Sequence, residues 1–345
     1  MAFVTGRLIH KLLAPPASEV TFLRRGFHAG DPQAIDYLEQ IGCWFLVGLE
    51  YGMTLSGESA VCTRLDTVPW EYRGFAYEGA SMALTILDGL LPAGGGRLDR
   101  FIAGPAARHV YMAHVGAGWA LARLPRVLQW RIRPGDPLLS WLMLDGYGFH
   151  EAYFRTPLTV GRQRPPEILP GWRDRGADAS HVIDQGIGRA LWFVCGADAS
   201  RLAATIADFA PGRREDLWAG TGLAATYAGY RPAGMNVPSA VGARPPGPET
   251  APGAGEIEAS LRDLAARAGP YLPDVAQGAA FAAKARSQAG LVTPHTVLAV
   301  RVLCGMEVAQ AARCTDDAMP ADVAAAAAYQ TWRRQIRQGF TSTGR

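Results

Sequence analysis

Small and bulky apolar residues alternate with isolated polar ones in a helical phrase that recurs along most of the chain. It reads IGCWFLVGL around Gly42, YEGASMALTIL around Gly79, HVGAGWALARL around Gly116 and LDGYGFHEAYF around Gly146. It returns as DQGIGRALWFV around Gly186, LWAGTGLAATY around Gly220 and VAQGAAFAAKA around Gly278. The steps between these glycines are 37, 37, 30, 40, 34 and 58, the last containing a Pro-rich insertion. Recurrence at about 20 to 50 residues marks a repeat architecture. Each unit is expected to be a helix hairpin whose Gly or Ala positions let neighbouring helices approach, since a side chain there would hold the backbones apart. The pattern predicts an all-α fold of degenerate helix-hairpin repeats, an α-solenoid or helical bundle with a C-terminal helical extension. Strand signals are few.

The clearest unit runs from Gly186 to Gly220. GRALWFVCG is followed by a turn at Ala197-Asp198, then by ASRLAATIADF, which ends at Pro211-Gly212. Its order of small and bulky residues at a 34-residue step resembles a degenerate tetratricopeptide repeat. Pro and Gly clusters punctuate the helical stretches. The strongest break is Tyr230 to Gly255, where RPAGMNVPSAVGARPPGPETAPGAG carries almost no helical periodicity and too little regular apolar surface to offset its ordering entropy. The predicted organisation is an N-terminal segment (1–20), a helical repeat domain (21–229), a Pro/Gly-rich linker or loop (230–255) and a C-terminal helical part (256–345). In the first segment, an untidy terminal helix over residues 1–14 is the expectation, with a weak interfacial role as its rival.

A hydrophobic share of 49% and a charged share of 19% in 345 residues describe a globular chain with a sizeable interior. Net charge is only +3, so no nucleic-acid partner is expected, because phosphate neutralisation needs a concentrated basic face. Five scattered cysteines without ligand spacing fit a reduced, cytoplasmic compartment and predict no metal site. No run of about 18 apolar residues exists, so no transmembrane segment is expected.

Several long phrases in order carry a family resemblance: RGFAYEGASMALTILDGL, HVGAGWALARL, DPLLSWLMLDGYGFHEAYF, QGIGRALWF and DLWAGTGLAATYAG. Over roughly Arg24 to Ala299 the chain resembles the UnbL-like bacterial family of unknown biochemical function, encoded beside enediyne polyketide synthases. The resemblance implies a pathway, the maturation of a polyketide polyene towards an enediyne core, and possible contact with other proteins of that pathway is part of the implication. It carries over no catalytic residue and no cofactor.

Common catalytic signatures are absent. There is no HExxH, Walker A, GxSxG elbow or EF-hand loop. GTGLAA at Gly220 satisfies a loose dinucleotide pattern but lacks a preceding strand. What remains are polar residues set among apolar neighbours, where burial is expensive unless they are paired or used. Pairs such as Asp184 with Arg189 or Glu78 with Arg73 are the structural expectation. The functional one is that Glu78, His114, Asp145 and His150 converge on one concave surface, a histidine carrying the proton and a carboxylate acting as base or orienting the imidazole. Trp119, Phe149, Arg189, Trp192, Trp218 and Tyr227 would then bind an extended conjugated substrate. Three readings follow. One is an enzyme or accessory protein that binds a hydrophobic polyene intermediate and assists its isomerisation or cyclisation by proton transfer. The second is a non-catalytic helical adaptor, and the third a terpene-cyclase-like enzyme, which the missing DDxxD motif disfavours.

Overall fold

A computed structural model describes residues 15–91, 95–132, 135–230 and 253–341. Every regular element among them is helical. The expectations for residues 1–14 and for most of the 230–255 segment lie outside the described residues.

Seven long helices carry the glycine phrases: α1 (Pro32–Thr54), α2 (Arg73–Leu90), α3 (Val110–Arg123), α4 (Leu142–Phe154), α5 (Gly176–Val194), α6 (Pro211–Tyr227) and α7 (Leu272–Ala289). Three of them, α1, α6 and α7, begin at a proline in the first turn. Asp31 caps α1 by accepting from the Gln33 backbone N–H, ahead of Pro32, and α6 opens on Pro211.

The glycines fall at the contacts between these helices. Two residues along a helix turn it by about 200°, so the glycines of a Gly-x-Gly pair lie on opposite flanks. The first packs on the preceding helix and the second on the following one. A Cβ at Gly116 would meet the Glu78 carbonyl of α2, and one at Gly118 the Met143 carbonyl of α4. Gly146 and Gly148 stand in the same way against Val115 and Ile183. Gly186 and Gly188 meet Asp145 and Leu217, and Gly220 and Gly222 meet Gln185 and Val275. On α1 the contact belongs to Gly48, against the Ala76 carbonyl, whereas Gly42 lies under the Val20 side chain.

Successive helices run in the same direction, because their C-terminal ends meet. Arg123 Nε donates to His150, Trp192 Nε1 to the Gly229 carbonyl, and Arg286 Nη2 to the Tyr227 carbonyl. The chain therefore returns outside this row, through Glu58–Leu65, Arg97–Ala103, Ala199–Asp208, Ala254–Ala268 and Pro294–Cys304. The partner of each glycine helix is the next glycine helix. The adjoining short helix that the hairpin expectation assigned to it sits in the outer layer.

The row curls until its ends meet. Tyr37 Oη on α1 donates to the Ala228 carbonyl beyond α6, and Phe75 meets Tyr227 edge-on at 5.3 Å. Arg286 of α7 reaches the Glu71 carbonyl just ahead of α2. So α7 continues the glycine row and shares one core with it. A last helix, α8 (Ala328–Thr341), packs Tyr329 and Trp332 on Phe281 of α7. No helix among the described residues is long and apolar enough to cross a membrane.

Gly186→Ala is expected to destabilise the fold by about 1–3 kcal/mol, because the methyl group lands on a backbone oxygen that cannot swing away. Gly212→Ala, in the first turn of α6 with open space around it, should leave stability unchanged or raise it by up to about 1 kcal/mol. Urea unfolding of both variants checks the contrast, and equal losses would contradict the contact assignment.

Candidate functional site

With the flanks of each helix taken by neighbours, a third direction faces the centre of the curl. It is occupied by the residues one before and three and seven after the first glycine. From α2 these include Glu78 and Met82, from α3 Trp119 and Arg123, from α4 Asp145, Phe149 and Tyr153, from α5 Arg189 and Phe193, and from α6 Leu223 and Tyr227. All of them but Asp145 line a central cleft of about 710 Å³, its open mouth included. The walls are apolar and rich in aromatic rings: Trp119 lies 4.5 Å from Phe45 and 5.0 Å from Phe149, ring centre to ring centre.

Three charges meet at the inner end. Arg189 is ion-paired with Asp145, and its guanidinium stands 5.1 Å from the centre of the Phe149 ring. Asp145 also accepts from Gln185 Nε2 at 2.7 Å, and that amide lies 3.2 Å from the Tyr329 hydroxyl of α8. Glu78 is left with the weaker share, its Oε1 at 3.9 Å from Arg189. Burial pushes the Glu78 carboxyl up to about 7; Arg189 opposes that rise, and the Asp145 charge adds to it. Glu78 is therefore the carboxyl that can gain or lose a proton near neutrality, while Asp145 neutralises Arg189.

Unpaired polar atoms surround it. Among the described residues, Tyr227 Oη has no hydrogen-bond partner, and Glu78 Oε1 and Trp119 Nε1 have none but each other, the indole N–H facing the carboxyl and opposing its rise, although these side chains are only 3%, 3% and 8% exposed. The Tyr227 hydroxyl lies against Gly74, where a Cβ would collide with it, and the Arg286 guanidinium stands 4.0 Å from its ring centre. Buried donors without acceptors cost about 1–3 kcal/mol each. On a cleft wall such groups are ones that water or a ligand's own polar group would satisfy.

The two histidines expected at the site lie elsewhere. His150 is four residues beyond Gly146 and so shares that glycine's flank, facing α3, where its Nε2 accepts from Arg123 Nε at 2.9 Å. His114 is four before Gly118, on the flank towards α4, with Nδ1 2.8 Å from the Val110 carbonyl. Burial lowers both pKa values, so neither ring carries charge near neutrality. Trp192 and Trp218 obey the same offset from Gly188 and Gly222: both are buried between helices, outside the cleft. Asp184 pairs with Arg213 instead of Arg189, and Arg73 donates to the Val68 carbonyl instead of pairing with Glu78. Glu78, Asp145, Trp119, Phe149, Arg189 and Tyr227 are the expected residues that the structure brings together. Arg123 and Gln185 were missed, although Arg123 stands four residues beyond Trp119 on the same face. No group of three potential metal ligands occurs among the described residues.

This arrangement defines an all-helical protein with an apolar central cleft and one ionisable carboxyl at its wall. The chain belongs to the family described as Protein of unknown function (DUF1702), whose family model matches residues 4–236 and 250–340. No curated protein and no solved structure matches it.

Glu78 also sets a pH dependence. Its proton is held more tightly in the folded chain than in the unfolded one, where the value is near 4.5. The stability this confers is fully present below the unfolded pKa and is lost as pH rises through about 7. Wild-type protein should therefore lose stability relative to Glu78→Gln between about pH 4.5 and 7, on the order of 3 kcal/mol in all. Parallel denaturation curves for the two proteins across that range would show that Glu78 does not titrate there. Asp145→Asn, which leaves Arg189 only the more distant Glu78 carboxyl, is expected to cost less than the roughly 3–5 kcal/mol of a wholly unpaired buried charge and to lower the pH at which Glu78 titrates in the same assay.

Proposed function

We propose that the protein binds a hydrophobic polyene intermediate of enediyne-type polyketide biosynthesis in the central cleft and assists its isomerisation or cyclisation by proton transfer through Glu78. The pathway rests on the resemblance to the UnbL-like family, and the chemistry rests on the cleft. One observation carries it: a carboxyl with a pKa of about 7 stands at an aromatic wall, facing the Trp119 indole N–H and beside an unpartnered phenol. The aromatic rings suit the flat faces of a conjugated chain. The neutral acid donates its proton to one conjugated carbon, and the carboxylate, stabilised by Arg189, takes a proton from another. The acid is thereby regenerated and no oxidant is consumed. This replaces the histidine-centred scheme expected from the phrases alone, since His114 and His150 lie on helix flanks. An adaptor would call for an open groove lined by Arg and Tyr; the apolar cleft with its inward carboxyl supports small-molecule binding instead.

Deleting the gene in its host and restoring it as wild type, Glu78→Gln or His114→Gln, with protein levels monitored, tests this reading. Wild type and His114→Gln should restore the polyene-derived product. Glu78→Gln should accumulate a polyene precursor while its purified protein still binds diphenylhexatriene, an uncharged conjugated probe followed by fluorescence. Full product from Glu78→Gln would overturn the proton-transfer role.

A further inference from the structure

A second apolar cavity of about 440 Å³, open mouth included, lies beyond the charged end of the cleft. Arg189, Leu223 and Tyr227 line both spaces, so the two are separated by side chains alone and meet at a neck. The reason for the second cavity is legible in the glycine register. Seven residues beyond the first glycine, α3, α4, α5 and α6 place Arg123, Tyr153, Phe193 and Tyr227, whereas α7 places Ala285. Phe281, three beyond that glycine, forms one wall; past it, where the other helices fill the centre, α7 leaves room, and Ala282 beside Ala285 extends it. Met112, Val115 and Leu142 supply apolar walls, and Trp332 of α8 lies across the far side, fixed by its Nε1 bond to the Thr315 carbonyl at 2.7 Å. Asp145 reaches this cavity but is neutralised by Arg189, so the space offers an incoming group no free charge.

We propose that the two cavities form one binding channel, the second taking the distal end of an extended, unbranched conjugated chain whose middle lies at the neck beside Glu78 and Tyr227. The inference rests on the polyene reading of the cleft and adds to it a selection by length. Ala285 and Ala282 set the length accepted, because any larger side chain there shortens the channel without touching the cleft.

The test uses full-length protein and the uncharged series diphenylbutadiene, diphenylhexatriene and diphenyloctatetraene, with dissociation constants read from probe fluorescence. Wild-type affinity should rise along the series. Ala285→Phe should weaken the octatetraene by about tenfold, as expected for expelling a short apolar segment, and leave the butadiene within about twofold. Ala282→Leu is the second variant should Ala285→Phe fail to fold, circular dichroism deciding that point, and the wild-type series stands independently of both. Butadiene binding with no gain along the series would overturn the channel and leave the polyene reading intact. So would a folded variant that weakens every probe equally. Failure of wild type to bind even the shortest probe would overturn the polyene reading and the channel with it.

Discussion

The structure depends on backbone meeting backbone. Wherever two of the long helices cross, a glycine of one lies against a carbonyl oxygen of the other, close enough for Cα–H to carbonyl contact and too close for any side chain. One such contact is weak, but the row repeats it with each helix giving one flank to its predecessor and one to its successor. Because the flanks are spent in this way, the orientation of every remaining residue is dictated. His114, His150, Trp192 and Trp218, each four from a glycine, are wedged between helices, whereas residues three and seven beyond the first glycine, such as Trp119, Phe149, Arg189 and Tyr227, point to the centre.

That geometry explains why the charged group of the site is arranged as it is. Glu78, Asp145 and Arg189 come from three different helices, the carboxyls one residue before their glycines and Arg189 three beyond its own, from where its long side chain reaches both. Two carboxyls compete for one guanidinium in a space that excludes water. Asp145 wins because Gln185 also holds it, and the loser becomes titratable near neutrality. Removing water from a pair of ions is costly, and a third buried ion of the same sign as one member costs more still. Glu78 escapes that cost by keeping its proton.

Much of the fold was readable beforehand, and for a physical reason. Glycine at a helix crossing is a steric necessity, so the spacing of GASMAL, GAGWAL, GYGFHE, GIGRAL and GTGLAA records where helices touch. What spacing alone does not reveal is which helix each flank touches: the hairpin expectation pairs a glycine helix with its short neighbour, and the break at 230–255 sets the Gly278 phrase in a C-terminal part although it carries the same signal as the rest. The site divides along the same line. Glu78, Asp145, Trp119, Phe149, Arg189 and Tyr227 were visible as polar or aromatic residues set in small-residue phrases. The histidines and the two flank tryptophans look equivalent to them in sequence, because burial is common to both directions and the helix each one faces is set by the packing. Arg123 was overlooked at the end of ALARLP, where a basic residue in a last helical turn reads as an ordinary terminus.

The way the curl closes bears on when the protein can exist during its own synthesis. Tyr37 finds its acceptor 191 residues along the chain, and Arg286 reaches back 215 residues to the Glu71 carbonyl. Contacts of such separation form late and carry a large loop-closure cost. Until α7 has left the ribosome, the inner faces of α2 to α6, with their aromatic rings and buried ions, have no seventh helix to enclose them. A growing chain must therefore carry an open apolar trough for much of its translation, which is the condition that recruits chaperones and favours association between chains. The ring that protects the cleft in the finished molecule is thus the part of it most exposed to failure while it is being made.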